Sequence, residues 1–255
     1  KAFCYQQSGE LQKSCDYYLR LAEQQENKTR AYLALAKTYF EMQDYTSSIY
    51  YIEALLDNKD ALSKYELSEL YGDIALCHAA LKHIGVGQAS IRRSLELNEN
   101  DPDTLIVAGR FFLMEAKACN DETAKAENQA KGELYFRQAL NLIMEDERLD
   151  YLFTIGAACF DTQNFKLAAQ YYEQINREFP DNAPATYFFL AYCYFYLEEA
   201  ISCMHYIAKM KHELPDAYSN LGTSDSILSD TRFNELMRNL KDSVNNGKVD
   251  LDNFL

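Results

Sequence analysis

The chain has 255 residues, 48% of them apolar, with 39 acidic against 25 basic side chains and a formal net charge of −14. Phosphate backbones and anionic lipid are both read by clustered Lys and Arg, so this balance disfavours nucleic acid and anionic membrane surfaces as partners. Its most apolar run, Tyr187 to Leu197, is too short to span a bilayer.

Nine Gly, four Pro and a preponderance of helix formers predict an all-α chain, since no apolar/polar alternation bounded by turn residues marks a strand. The chain opens on Lys1-Ala2-Phe3-Cys4-Tyr5, without Met or a signal-like segment, and is read as a fragment or processed form, in which any targeting segment would be invisible. Ala2 and Tyr5 begin a pattern partway through. Ser14, Tyr18 and Leu21 follow at spacings of four and three, which share one helix face. From Tyr32 the pattern is complete: Tyr32, Ala36 and Tyr39 on a first helix, then Ser48, Ile52 and Leu55 on a second. Tyr71, Ala75 and His78 with Gly87, Ile91 and Ser94 repeat it, as do Leu105, Gly109 and Phe112 with Gly132, Phe136 and Ala139. Leu152, Gly156 and Cys159 pair with Ala168, Tyr172 and Ile175, and Tyr187, Ala191 and Tyr194 with Cys203, Ile207 and Met210. The small residue recurs after 34 residues (Ala2 to Ala36), then 39, 34, 47, 35 and 31, reaching Gly222. The 39-residue interval predicts an extra turn near Asp57 to Asp60, and the 47-residue interval predicts lengthened helices flanking Asn120-Asp121. Pro180 and Pro215 stand where helices must stop. After Gly222 the pattern fails. Asp230 is placed to cap a last helix carrying Phe233, Leu236, Met237 and Leu240, with a tail from Val244 to Leu255.

Small residues in step with large ones let helix backbones approach while rings fill the space beside them. With its period and slots, the chain resembles the tetratricopeptide repeat family, most fully from Leu152 to Pro180 through Ile155, Gly156, Ala168 and Tyr172. It departs from that pattern at Leu152, where the family prefers Trp, and at Cys159, where it prefers Tyr. The copy from Tyr32 to Leu55 adds the inter-helix Gln43-Asp44-Tyr45. The resemblance implies a right-handed α-solenoid of about six helix-turn-helix pairs over residues 1–225, its first repeat truncated and a long insertion near 115–131, then a capping helix and tail over 226–255.

Chemistry is not asked for. There is no Walker loop, H-E-x-x-H or nucleophile elbow, and Gly85-Val86-Gly87 lacks the preceding strand and third glycine of a dinucleotide fingerprint. His78 and His83, five apart, share a helix face poorly. Seven cysteines, none in a C-x-x-C pair, read as reduced structural thiols, so the expectation is a cytoplasmic non-enzyme without metal or cofactor.

In the resembling family the first helices line a concave groove that holds a partner's peptide or helix. Carried over by register, the lining is Leu33, Lys37, Phe40, Ile106, Arg110, Leu113, Phe153, Phe160, Phe188, Tyr192, Phe195 and Tyr196. These are mostly apolar or aromatic, so the family's carboxylate clamp is absent and an amphipathic helix or extended hydrophobic segment fits better. The same aromatics also suit packing against a neighbouring pair, or cover by the chain's own tail. The expected function is a protein-interaction scaffold. The alternative is a regulatory or assembly subunit that holds a basic partner on its acidic outer surface; a helical repeat that binds RNA is disfavoured by charge.

Overall fold

The computed structural model describes Tyr5, residues 8–57, Lys59, and residues 62–220 and 227–245. Among these residues every regular element is a helix. The chain divides into two compact units, Lys1–Leu142 and Ile143–Leu255. The first contains α1 (Leu11–Ala22), α2 (Lys28–Glu41), α3 (Tyr45–Leu56), α4 (Lys64–Ala80), α5 (Ile84–Leu97), α6 (Pro102–Ala118) and α7 (Glu122–Leu140). The second contains α8 (Arg148–Asp161), α9 (Phe165–Glu178), α10 (Tyr187–Tyr196), α11 (Ala200–Glu213), the short α12 (Pro215–Asn220) and α13 (Thr231–Asn245). Consecutive helices pair as α2/α3, α4/α5, α6/α7, α8/α9 and α10/α11.

Side chains that satisfy orphan backbone groups fix where the helices begin. The Asp44 carboxylate accepts from the Ser47 N–H at 3.1 Å, Asp101 from Thr104 at 2.8 Å and Asp121 from Ala124 at 2.7 Å. Ser63 and Glu66 form a reciprocal capping box at the start of α4. Four pairs share one turn. The first helix ends in a residue of left-handed conformation, Gln43, Lys82, Gln163 or Glu198, at φ of 60°, 61°, 62° and 60°. The next N–H then reaches back five residues: Asp44 to the Tyr39 carbonyl, His83 to His78, Asn164 to Cys159 and Glu199 to Tyr194, all at 2.8–2.9 Å. This is the Schellman closure, and each turn falls seven residues after the small residue of its copy. Gly9, at φ 76°, closes the same bond from Glu10 to Tyr5.

The pair α6/α7 departs from this rule. Cys119 is extended at φ −83° and ψ 135°, so α6 runs to 17 residues and α7 to 19, on either side of Asn120-Asp121. In the second unit Pro180 and Pro184 hold residues 180–186 in a 3-10 conformation, which leaves α10 only 10 residues. The expected extra turn near Asp57 is a 3-10 turn at Lys59, where the Leu62 N–H bonds the Lys59 carbonyl at 3.0 Å; Asn58 and Asp60 lie outside the described residues.

The seam between paired helices follows the small-to-large pattern. A Cβ on Gly156 would stand 2.9 Å from Cε1 of Tyr172, and one on Gly109 would collide with the Phe136 ring. Ile52, Phe136 and Tyr172, the large residues of three second helices, are at most 2% exposed. The small residue of the second helix rests on the backbone of its partner. Ser48 donates its hydroxyl to the Ala36 carbonyl at 2.9 Å, and a Cβ on Gly132 would stand 2.9 Å from the Gly109 carbonyl oxygen. Ser94 fills an otherwise apolar slot because it is paired: its hydroxyl donates to the Ser68 carbonyl at 2.8 Å, and Ser68 lies 3.1 Å from the Thr104 hydroxyl. Cys15, Cys77, Cys159, Cys193 and Cys203 are buried. Burial pushes the thiol of Cys77 up to about 11 and those of Cys193 and Cys203 up to about 12, which keeps them neutral core groups. Asp230 caps α13 through the Arg232 N–H at 2.9 Å. Ala2, Cys4, the Leu221-Gly222 slot and tail residues 246–255 lie outside the described residues.

Candidate functional site

The twelve positions assigned to the groove separate into two faces, one in each unit. In the first unit they lie on α2 and α6. Leu33 is half-buried and packs on the core of Ala36, Ile52, Leu70 and Ile74, while Lys37 is exposed. Phe40 is half-buried against the Ala75/Ala79 cluster, edge-on to Tyr45 at 5.4 Å and beneath the Arg110 guanidinium at 5.7 Å. Ile106 and Leu113 are only 6% and 2% exposed, so they belong to the interior rather than to a groove lining. For Leu113 the cause is visible: residues four past the small slot lean on the second helix, and its Cδ2 lies 3.0 Å from where a Gly132 Cβ would stand.

This face is charged rather than apolar, through two residues that the register did not single out. Asp73 and Glu69, one turn apart on α4, join Lys37 of α2 and Arg110 of α6. Burial pushes the Asp73 carboxyl up to about 6; Lys37 and Arg110 hold it lower than burial alone would, and Glu69 pushes it further up. Burial likewise raises Glu69, against the pull of Lys37. Asp73 sits two residues before the small slot, as Phe189 does, and that position faces the preceding pair. The register thus places Asp73 on this face, but not the Lys37 and Arg110 charges that meet it from two other helices.

In the second unit the candidates form a connected set of rings. Phe160 is edge-on to Phe165 at 5.6 Å and to Phe189 at 5.5 Å, and lies 6.4 Å from Tyr192. Phe189 stacks on Tyr172 at 4.9 Å, and Phe153 lies 6.3 Å from the same ring. Phe188 contacts Tyr192 at 4.6 Å, and Tyr196 stacks on Phe165 at 4.4 Å. Phe188 and Tyr196 are 39% and 43% exposed, Phe153, Phe160 and Tyr192 are half-buried, and Phe195 is 5% exposed beneath α13. Phe165 and Phe189 complete this surface. Both fall outside the three repeat slots of a first helix: Phe165 opens a second helix, and Phe189 lies between slots.

The His78 and His83 imidazoles meet, with Nδ1 atoms 3.4 Å apart, although five residues separate them. The left-handed Lys82 folds the chain back, which no count along a single helix registers. Burial and then His83 lower the His78 pKa. Among the described residues no three His, Cys, Asp or Glu side chains are grouped to hold a metal ion, and no helix is long and apolar enough to cross a membrane.

The sequence model of the tetratricopeptide repeat matches residues 29–61, which are α2, its left-handed turn, α3 and the segment after it. No curated protein matches the chain in sequence. Among solved structures the chain is similar to PilW, described as a widely conserved type IV pilus biogenesis factor. The likeness has a TM-score of 0.53 and 18% identity, and covers 85% of this chain and 93% of that one. That likeness is one of fold. The pair matched at residues 29–61, a tetratricopeptide repeat by its sequence, shares its turn with the pairs closed at Lys82, Gln163 and Glu198, and its small-on-backbone seam with α6/α7.

Proposed function

We propose that the protein is a non-enzymatic interaction scaffold whose second unit holds an apolar or amphipathic helix of a protein partner. The supporting observation is the ring surface of α8 and α10: Phe188 and Tyr196 stand in solvent beside half-buried Phe153, Phe160 and Tyr192. Leaving two large rings wet beside others is unfavourable, and covering them with a partner recovers roughly 25 cal/mol for each Å² of apolar area removed from water. Aromatic anchors recur in binding hot spots for that reason. The pilus role printed for PilW is that protein's own; the shared fold does not carry it here.

Capture followed by cross-linking mass spectrometry identifies the partner and the surface it touches. Phe188→Ala combined with Tyr192→Ala is expected to abolish capture with the far-ultraviolet circular dichroism unchanged. Retained capture by the double variant would place the site elsewhere. The second reading, a basic partner on the acidic surface, is favoured by the net charge of −14.

A further inference from the structure

Part of the aromatic face is already covered, by the chain itself. Ile227 and Phe233 are 1% and 8% exposed although each lies beyond the last complete pair. Phe233 reaches Phe195 at 6.3 Å. Arg232 lays its guanidinium over Phe195 at 5.2 Å and over Tyr196 at 5.4 Å. Elsewhere on α10, the Ile227 backbone lies beside the Tyr192 hydroxyl. The segment thus touches three residues of the face assigned to a partner, using one apolar anchor, one ring and one cation.

The grip is shallow. Among the described side chains from Ile227 to Asn239, only Ile227 and Phe233 are buried, while Asn234, Glu235, Arg238 and Asn239 face solvent. A cavity of about 250 Å³ remains between α13 and the end of α10, lined by Phe195, Tyr196, Arg232 and Leu236. Arg232 is also shared: Asp230 holds it through both carboxylate oxygens, at 2.5 to 3.1 Å. Segments with few buried contacts open at far less than the global unfolding free energy.

We infer that residues 227–239 are an internal ligand of the aromatic face, and that the partner is an amphipathic helix presenting an arginine beside an aromatic residue, which competes with this segment for Phe195 and Tyr196. The inference rests on the aromatic-face reading above and adds the chemistry of the occupant to it. A guanidinium over two rings is worth more than one over a single ring, and a neighbouring aromatic side chain supplies the area that holds it there. An acidic rim at Glu198 and Glu235 repels a competitor carrying a carboxylate in place of that arginine.

The test uses the full chain and a fluorescent peptide copying residues 227–245, read by anisotropy. Arg232→Glu with Phe233→Ala releases the internal segment, and this opened chain is expected to bind the peptide at least about tenfold more tightly than wild type, since closure lowers the competent fraction. Tyr196→Ala in the opened chain is expected to reverse the gain, as is Arg→Glu at the peptide position copying Arg232. If the double variant loses helicity, Arg232→Glu alone, at an exposed position, is expected to move affinity in the same direction. Equal affinity of opened and wild-type chains, or no binding to either, overturns the inference. The partner-capture result with Phe188→Ala and Tyr192→Ala judges the aromatic-face reading separately, because those substitutions leave Arg232 and Phe233 in place.

Discussion

A glycine's meaning lies in what its missing Cβ would meet. Gly109 faces the Phe136 ring at contact distance, whereas Gly85, on the first turn of α5, has open space around it. Gly109→Ala is therefore expected to destabilise by about 1–3 kcal/mol, as overpacking does. Gly85→Ala should be neutral or stabilise by up to about 1 kcal/mol, since it removes only unfolded-state freedom. Urea midpoints of the two variants check the contrast. Gly109 was legible from sequence because its partner slot, Phe136, recurs in register. Asp73 was not, because its surroundings come from Lys37 and Arg110 on two other helices, and no local pattern carries that. Its effect on stability has a definite sign. The folded carboxyl titrates at about 6 against an ordinary value of 3.8, so the native state holds the proton more tightly. That contribution is fully present below about pH 4 and is lost as pH rises through about 6. Asp73→Asn should then stabilise by about 1–2 kcal/mol at pH 8 and by little at pH 4. Thermal melts at the two pH values decide it, and equal effects at both would contradict the assignment.

The unit of construction is the helix pair with its left-handed turn, and here the sequence is legible in one way and opaque in another. Small and large slots announce each pair, because the packing they encode is local to the two helices. The turn residues do not announce themselves. Gln43, Lys82, Gln163 and Glu198 are none of the types that turn rules flag, yet all adopt φ near 60°. Their conformation is imposed by the two helices they join, and only the constant offset from the small residue betrays it. For a side chain bearing a Cβ, that conformation costs roughly 1–2 kcal/mol. Gln163→Gly should relieve it and stabilise by up to about 1 kcal/mol, after glycine's larger loss of freedom on folding is counted. Gln163→Val should destabilise, since a β-branched residue tolerates this region least. Chemical denaturation of both variants against wild type is the measure, and the same ordering is expected at Lys82. The shortened α10 is a case of the opposite kind: Pro180 reads as a stop, but the helix restarts only after Pro184, which leaves Phe188 and Phe189 in its first turn.

At the scale of the whole chain, two features compete to explain how a partner is held: the ring surface of α8 and α10 in the second unit, and a net charge of −14 spread along the sequence. Residue charge alone cannot rank them, because exposed charges act over about 10 Å at 0.1 M salt but only about 3 Å at 1 M, whereas apolar contact is not screened. The make-up of the two candidate faces favours the first. In the first unit the equivalent positions are Lys37 and Arg110 with Asp73 and Glu69 between them, a face in which opposite charges already answer one another. A basic partner drawn there would have to compete with Lys37 and Arg110 for the field of those carboxylates, while a helix settling on Phe188 and Tyr192 competes with water and with the segment at Ile227. Binding of the cross-linked partner is accordingly expected to change by less than about threefold between 0.1 M and 1 M sodium chloride. The same measurement on a basic control peptide should show affinity falling steeply over that range. Isothermal titration at three salt concentrations reads both. A steep fall for the partner itself would transfer the function from the rings of α8 and α10 to the acidic surface, and a flat profile lost with Phe188→Ala and Tyr192→Ala would fix it on the rings.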